Sequence, residues 1–292
     1  MSTTGPVLLP AEAAPIRGQA GCPRCGGLGY AVGVRATNAF AELCSCVEAC
    51  PRCQGLGRVA VERDGILVTG RCRCQQLPDR IALFNYARIP ARHAESTFGT
   101  FSRGALQKGD ENTARAMTGV LRWKGDFFPH KAQGLVLHGP VGRGKTHLLV
   151  ALLRDLIFEH GVAARYVEFS RLLGELKEGY DHGQGDSQLL SELADIPILA
   201  IDELGKGRVT DWELTVIDEI VNRRYNGMRC TLGATNYAPQ PATGVREVNL
   251  ATVDASRQTL GDRVGDRVFS RISQMCAFIE VGGPDMRPRM GN

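Results

Sequence analysis

Three short runs of strand character punctuate the second half of the chain: Gly134–His138, Ile196–Ile201 and Arg229–Thr235. Apolar runs of this length predict strands buried on both faces of a parallel sheet. After the first run, Leu148, Leu149, Ala151, Leu152, Leu153, Leu156 and Ile157 recur at helical spacing. Between the second and third, Leu214, Ile217, Ile220 and Val221 mark the buried face of a helix over Trp212–Tyr225, with Arg223 and Arg224 near its C-terminal end. Cys276–Val281 predicts a last strand. Strands alternating with helices predict an α/β fold. Residues 178–187 are polar and glycine-rich and predict a mobile loop, in which no role is assigned to His182.

The N-terminal part of the chain follows a different rule. CPRCGGLGY begins at Cys22 and CPRCQGLGR at Cys50; CSC begins at Cys44 and CRC at Cys72. All four cysteine positions therefore recur at one constant offset, the step from Cys22 to Cys50. Each unit reads CxxCxGxG, strand, turn, strand, CxC. In the second unit Val59–Glu62 and Ile66–Thr69 flank Arg63-Asp64-Gly65, a hairpin signal. In the first, Tyr30–Arg35 and Phe40–Leu43 flank Thr37-Asn38. A hairpin returns its second strand beside its start, so CxC comes back to CxxC. The glycines let the chain turn so that backbone amides face the sulfurs.

Four sulfurs then suit one tetrahedral Zn²⁺. The local pairing puts Cys22, Cys25, Cys44 and Cys46 on one zinc and Cys50, Cys53, Cys72 and Cys74 on the other. A nested pairing, in which the inner four and the outer four cysteines share metals, is the alternative. About 55 residues with few large apolar side chains cannot build a core alone; structural zinc substitutes for one at ~10–16 kcal/mol per site.

Composition adds limits. The chain has 292 residues and a net charge of +4, too small a bias to argue for nucleic acid or membrane. Residues 1–90 nevertheless hold ten Arg, no Lys and six acids. Eight thiolates on two zinc ions would carry four negative charges, which that basic excess offsets locally. No apolar run is long enough to span a bilayer. Positions 1–20 lack a basic start and contain three prolines, so no secretory signal is read and a cytoplasmic location, without membrane partners, is expected.

The residues behind the first strand carry the chemistry. Gly139, Pro140, Val141, Gly142, Arg143, Gly144, Lys145 and Thr146 fit G-x-x-x-x-G-K-[ST] between a strand and a helix. The glycines let backbone N–H groups converge on a phosphate, and the helix N-terminus adds partial positive charge. Lys145 would reach the β- and γ-oxygens of ATP, and the Thr146 hydroxyl would ligate Mg²⁺. The second strand ends in Asp202-Glu203. Asp202 is assigned to Mg²⁺ through water, and Glu203 to polarising the attacking water. Asn236, just past the third strand, would orient that water. Arg263, Arg267 and Arg271 are four apart and are read as one helix face; Arg287 is read as approaching phosphate.

GPVGRGKTHLL, ILAIDELG, RRYNGMRCTLGATNY and GDRVGDRVFSRI resemble the AAA+ ATPases of the DnaC/DnaI/IstB group, and RIALFNYARIPARHAESTFGTF resembles the segment before their ATPase domain. The CxxCxGxG knuckles resemble those of DnaJ-type co-chaperones. The resemblance covers residues 80–289 and implies an AAA+ (ASCE P-loop) αβα sandwich with a parallel sheet, alongside a small zinc-binding hairpin domain. It makes Asn236 sensor 1, Arg267 the trans-acting arginine finger with Arg263 and Arg271 as competitors, and Arg287 a sensor 2-type arginine.

The implied organisation is a disordered 1–20, a tandem zinc domain over 21–76, a linker helix and pre-ATPase segment over 77–110, and the ATPase domain over 111–289. The implied function is a replicative helicase loader that hydrolyses ATP. Its zinc domain contacts the hexameric helicase, and its ATPase core assembles as a ring or spiral on single-stranded DNA, with Lys206-Gly207-Arg208 placed near that DNA. Two alternatives stand beside it: an IstB-like transposition helper, and a zinc-dependent chaperone-type binding module whose ATPase core is only a scaffold.

Overall fold

The computed structural model describes residues 18–54, 56–63, 65–108, 110–127, 133–181, 187–207, 210–239 and 258–287. Strands β1 (Tyr30–Arg35) and β2 (Asn38–Leu43) pair antiparallel, as do β3 (Arg58–Arg63) and β4 (Ile66–Arg71). Every strand boundary of the first hairpin thus recurs in the second at the same offset that separates the cysteines. The first turn is Ala36-Thr37 and not Thr37-Asn38. Asn38 already pairs with Arg35, and Ala36 takes the left-handed backbone (φ 51°) that a two-residue hairpin turn demands.

Helix α1 (Gln76–Tyr86) follows, with Leu77, Ile81 and Phe84 on its buried face; then come α2 (Phe98–Lys108) and α3 (Glu111–Gly125). Asp110 caps α3 by accepting the Thr113 N–H at 2.7 Å. The remainder is a strand–helix alternation: β5 (Gly134–His138), α4 (Lys145–His160), β6 (Ala164–Glu168), α5 (Phe169–Asp181), α6 (Ser187–Asp195), β7 (Ile198–Asp202), α7 (Asp211–Asn226), β8 (Cys230–Thr235), α8 (Leu260–Val264), α9 (Asp266–Met275) and β9 (Cys276–Glu280). The expected loop over 178–187 is in part helix: α5 runs on to Asp181 and α6 begins at Ser187. His182, like Arg208 and residues 1–17, lies outside the described residues.

The five core strands form one parallel sheet in the order β6-β7-β8-β5-β9. Alternate side chains serve opposite layers. Leu135, Leu137, Ile198 and Ala200 pack with α4 and α1, while Val136, Leu199 and Ile201 pack with α5, α7 and α9. The fold is therefore an α/β sandwich of AAA+ type with cysteine-bearing hairpins ahead of it.

The two hairpins differ in how they meet this core. The first is fastened to it. Ala39 and Ala41 are buried, Tyr30 stacks on Phe158 of α4 with ring centroids 3.8 Å apart, and the Asn85 amide bonds both backbone groups of Ala41. The second encloses little beyond its own cysteines and Val59. Leu56, Ile66 and Leu67 on it are between 64% and 81% exposed.

One cation organises the far side of the sheet. Arg224, near the end of α7, is fully buried and donates to the carbonyls of Leu193 (2.7 Å), Ile196 (2.9 Å) and Cys230 and to Thr231 Oγ1 (3.0 Å). These acceptors end α6, lead into β7 and begin β8. Arg224→Met should therefore lower the unfolding free energy by about 3 kcal/mol or more and shift the urea midpoint down, because several buried carbonyls lose their donor at once. Arg224→Lys should recover part of the loss, and an unchanged midpoint in the Met variant would refute this role.

Candidate functional site

The loop between β5 and α4 is built around three glycines whose geometry excludes a side chain. Gly139, Gly142 and Gly144 have φ of 137°, 82° and 86°. A Cβ on Gly139 would stand 2.6 Å from the Val281 carbonyl oxygen, and one on Gly144 would stand 2.7 Å from the Phe101 ring. The chain can therefore wrap tightly and turn its amides inward, toward the N-terminus of α4. Lys145, the first residue of that helix, is buried and donates to the carbonyls of Gly139 and Pro140, both at 2.7 Å. Desolvation brings its ammonium down to about 8, against the pull of nearby Asp202. A buried cation bonded to two loop carbonyls at the start of a helix fits a polyphosphate.

Asp202, at the C-terminal end of β7, completes the site. Its Oδ1 accepts from the Thr146 hydroxyl at 3.1 Å and from the Glu203 N–H at 3.0 Å; its Oδ2 accepts from the Tyr166 hydroxyl at 2.7 Å. Burial raises its pKa, while the Tyr166, Thr146 and Glu203 donors oppose that rise. Thr146 and Asp202 thus place two oxygen donors side by side next to the phosphate loop, a hard donor set that suits Mg²⁺.

Glu203 sits at a left-handed backbone position (φ 54°) immediately after Asp202, with its carboxylate on Lys206. Asn236 is exposed just beyond β8, on the same sheet edge.

The arginines separate. Gly265, with φ 84° and ψ 149°, ends α8 before α9 begins, so Arg263 does not share a helix face with Arg267 and Arg271. Arg263 instead donates to the Gly205 carbonyl at 2.9 Å and to the Gly207 carbonyl, and lies over the Tyr237 ring. Arg271 bonds Asp218 at 3.0 Å, whereas Arg267 reaches the same carboxylate only at 3.6 Å and its side chain is 71% exposed. Arg287 pairs with Asp285, which it holds well below the usual carboxylate range. The Met286 N–H between them bonds the Gly142 carbonyl at 2.7 Å, which brings this tail against the phosphate loop.

Two site residues escaped the sequence reading. Tyr166 belongs to β6, a five-residue strand that includes Arg165, and only the alternation of Ala164, Tyr166 and Glu168 announces it. His147 follows Thr146 directly; its Nε2 lies 3.0 Å from both Thr100 Oγ1 and the Thr97 carbonyl, which ties the start of α2 to the loop.

In the hairpins the sulfurs of Cys22, Cys25, Cys44 and Cys46 lie within 4.8 Å of one another, as do those of Cys50, Cys53, Cys72 and Cys74. The grouping is local and not nested. The shortest separations, 3.4 Å for Cys25–Cys46 and for Cys53–Cys74, are contacts and not bonds. The Gly57 N–H points at Cys53 Sγ at 3.3 Å, as expected of glycines that follow CxxC. Desolvation raises the Cys25 thiol, but the amides of Gly29 and Gly27 and the Cys46 sulfur outweigh it and bring it down to about 6. Four sulfurs converging in this way have the donor set of a structural zinc site.

Known proteins share this architecture. Residues 118–239 match the family described as IstB-like ATP binding protein. That span holds Gly139–Thr146, Asp202, Glu203 and Asn236 and ends before Arg263. The chain is 26% identical over 222 residues to the uncharacterized protein YdaV of Escherichia coli (strain K12), covering 72% of this chain and 79% of YdaV. It is 26% identical over 142 residues to the replicative helicase loader DnaC of the same strain, covering 48% of this chain and 52% of DnaC, so it spans about half of that relative. A crystal structure of the DnaC helicase loader superposes with a TM-score of 0.54 at 28% identity, over 65% of this chain and 99% of that one. Among the described residues no helix is long and apolar enough to cross a membrane. With its phosphate loop, acidic strand end and parallel sheet in this arrangement, the chain has a fold of AAA+ type, matches the IstB-like ATP-binding family over 118–239 and is distantly similar to the DnaC helicase loaders.

Proposed function

We propose that this protein hydrolyses ATP and uses it to load a hexameric replicative helicase onto single-stranded DNA. The observation that carries the enzymatic part is the junction of Lys145, Thr146 and Asp202 at one sheet edge, with Glu203 and Asn236 beside them. Lys145 and the loop amides hold the β- and γ-phosphates; Thr146 and Asp202 hold Mg²⁺, which when bound draws charge from those oxygens. Asn236 orients a water and Glu203 accepts its proton as the water oxygen bonds to the γ-phosphorus. The bond from that phosphorus to the bridging oxygen breaks, and ADP leaves. Arg267, exposed and only loosely paired, serves the site of a neighbouring protomer in a ring or spiral, with Arg287 completing the site in cis.

The cysteine clusters hold two structural zinc ions, in a domain over 21–76 that precedes a linker to 110 and the ATPase domain over 111–289. The second hairpin contacts the helicase. In its support, Leu67 is 64% exposed where its counterpart in the first hairpin, Ala39, is buried, and Leu56 and Ile66 are exposed beside it. A second reading, favoured by the IstB-like match, is a transposition helper that assembles on duplex DNA. Filament formation on duplex but not on single-stranded oligonucleotides, with no helicase capture, would establish it in place of the loader.

Three outcomes are expected. Glu203→Gln should lower kcat by about 10²-fold or more while ATP affinity stays within about threefold, measured by phosphate release and nucleotide titration; equal turnover would overturn the role of Glu203. Metal analysis of purified protein should return two zinc ions per chain, and Cys72→Ser one. Leu67→Glu should abolish capture of the hexameric helicase and leave ATP turnover unchanged, whereas retained capture would remove the second hairpin from the interface.

A further inference from the structure

The segment after β9 folds back onto the phosphate loop. Gly282 passes so near α3 that a Cβ there would stand 3.2 Å from Asn112 Cβ. Gly283, at φ 95°, comes nearer still, its would-be Cβ 2.2 Å from Asp110 Oδ2 and from Thr113 Oγ1. Met286 closes the far end: its N–H bonds the Gly142 carbonyl at 2.7 Å. Its Cε reaches α2, where a Cβ on Gly104 would stand 3.0 Å away. Asp285 lies between these anchors, and its carboxylate rests directly on Gly142. A Cβ at Gly142 would stand 2.4 Å from Asp285 Oδ1 and 2.6 Å from Oδ2. The loop whose amides suit phosphate therefore carries an acid of its own chain at its face. That acid is engaged by Arg287, which donates its backbone N–H to Oδ1 at 3.0 Å and its Nε to Oδ1 at 3.0 Å and to Oδ2 at 3.1 Å; Nη2 also reaches Oδ2.

We infer that Asp285 is a positioning residue: it holds Arg287 beside the phosphate loop and surrenders it to the γ-phosphate of ATP. This rests on the proposed role of Arg287 in cis. A guanidinium grips an anion through one planar pair of N–H groups, and the Nε–Nη2 pair of Arg287 is already spent on Asp285. A γ-phosphate offers that edge an anionic partner of the same fork geometry. The anchors on α2, α3 and Gly142 belong to Gly283 and Met286 and not to the ion pair, so Asp285 stays at the loop when Arg287 leaves it. Asp285 is thus an internal competitor for Arg287. Both side chains are substantially exposed, at 46% and 63%. An exposed ion pair has a modest free energy, so the competition lowers ATP affinity about two- to fivefold. AMP brings no γ-phosphate to the exchange and escapes it.

The test is calorimetric titration of the full chain, with magnesium, by a β,γ-methylene analogue of ATP and by AMP. Asp285→Asn should bind the analogue about two- to fivefold more tightly than the parent does, and AMP equally well. Asp285→Glu, which keeps the charge, should keep the parental affinities. Salt at about 1 M, which screens exposed charges, should shrink the difference between Asp285→Asn and the parent. An Asp285→Asn variant that binds the analogue as the parent does, or more weakly, would overturn the inference. So would an equal gain for AMP, because a merely loosened strap admits both nucleotides alike. Arg287→Ala should weaken binding of the analogue and leave AMP alone. If it binds the analogue as the parent does, the role of Arg287 falls and the exchange falls with it, whatever Asp285→Asn shows.

Discussion

The architecture depends on one buried carboxylate. Asp202 ends β7, which lies between β6 and β8 in the sheet, and its oxygens are met by Thr146 from α4, by Tyr166 from β6 and by the Glu203 amide from its own chain. An anion buried to this degree without donors would take up a proton or unfold its surroundings. The donors let Asp202 stay beside the Lys145 ammonium, and they fix α4, β6 and β7 relative to one another. Because Thr146 follows Lys145 directly, the contact that stabilises Asp202 also aligns the phosphate loop with the acidic strand end.

Much of this was legible in the sequence. The strand–loop–helix context of Gly139–Thr146 and the apolar run ending at Asp202 each require one local pattern, and local patterns survive in a linear reading. The cysteine spacing was equally clear, since a hairpin repeated at one fixed offset leaves few ways to group its sulfurs. Strand β6 was not legible. It is five residues long, at the sheet edge, and it buries Arg165, whose charge breaks the apolar run that marks the other strands. The division of the three arginines was hidden for a related reason. Spacing of four implies one face only if the helix is continuous, and Gly265 interrupts it. Arg224 looked like part of a helix C-terminus, and only the approach of α6 and β8 turns it into a buried tie.

Charge is distributed with the same economy. The arginine excess of residues 1–90 accompanies eight thiols, while the remainder of the chain is balanced. Three of the C-terminal arginines are engaged: Arg263 on backbone carbonyls, Arg271 on Asp218 and Arg287 on Asp285. Arg267 stands apart because its nearest acid is farther away and solvent covers most of it.

The stack of Tyr30 on Phe158 makes the twin hairpins mechanically unequal. Phe158 lies near the end of the helix whose first residue is Lys145, so the forward hairpin and the phosphate loop sit on one stiff rod. Its copy has no such rod. A duplicated sequence thus yields one brace and one feeler, and oxidation of sulfurs in the brace would disturb nucleotide handling while oxidation in the feeler would not.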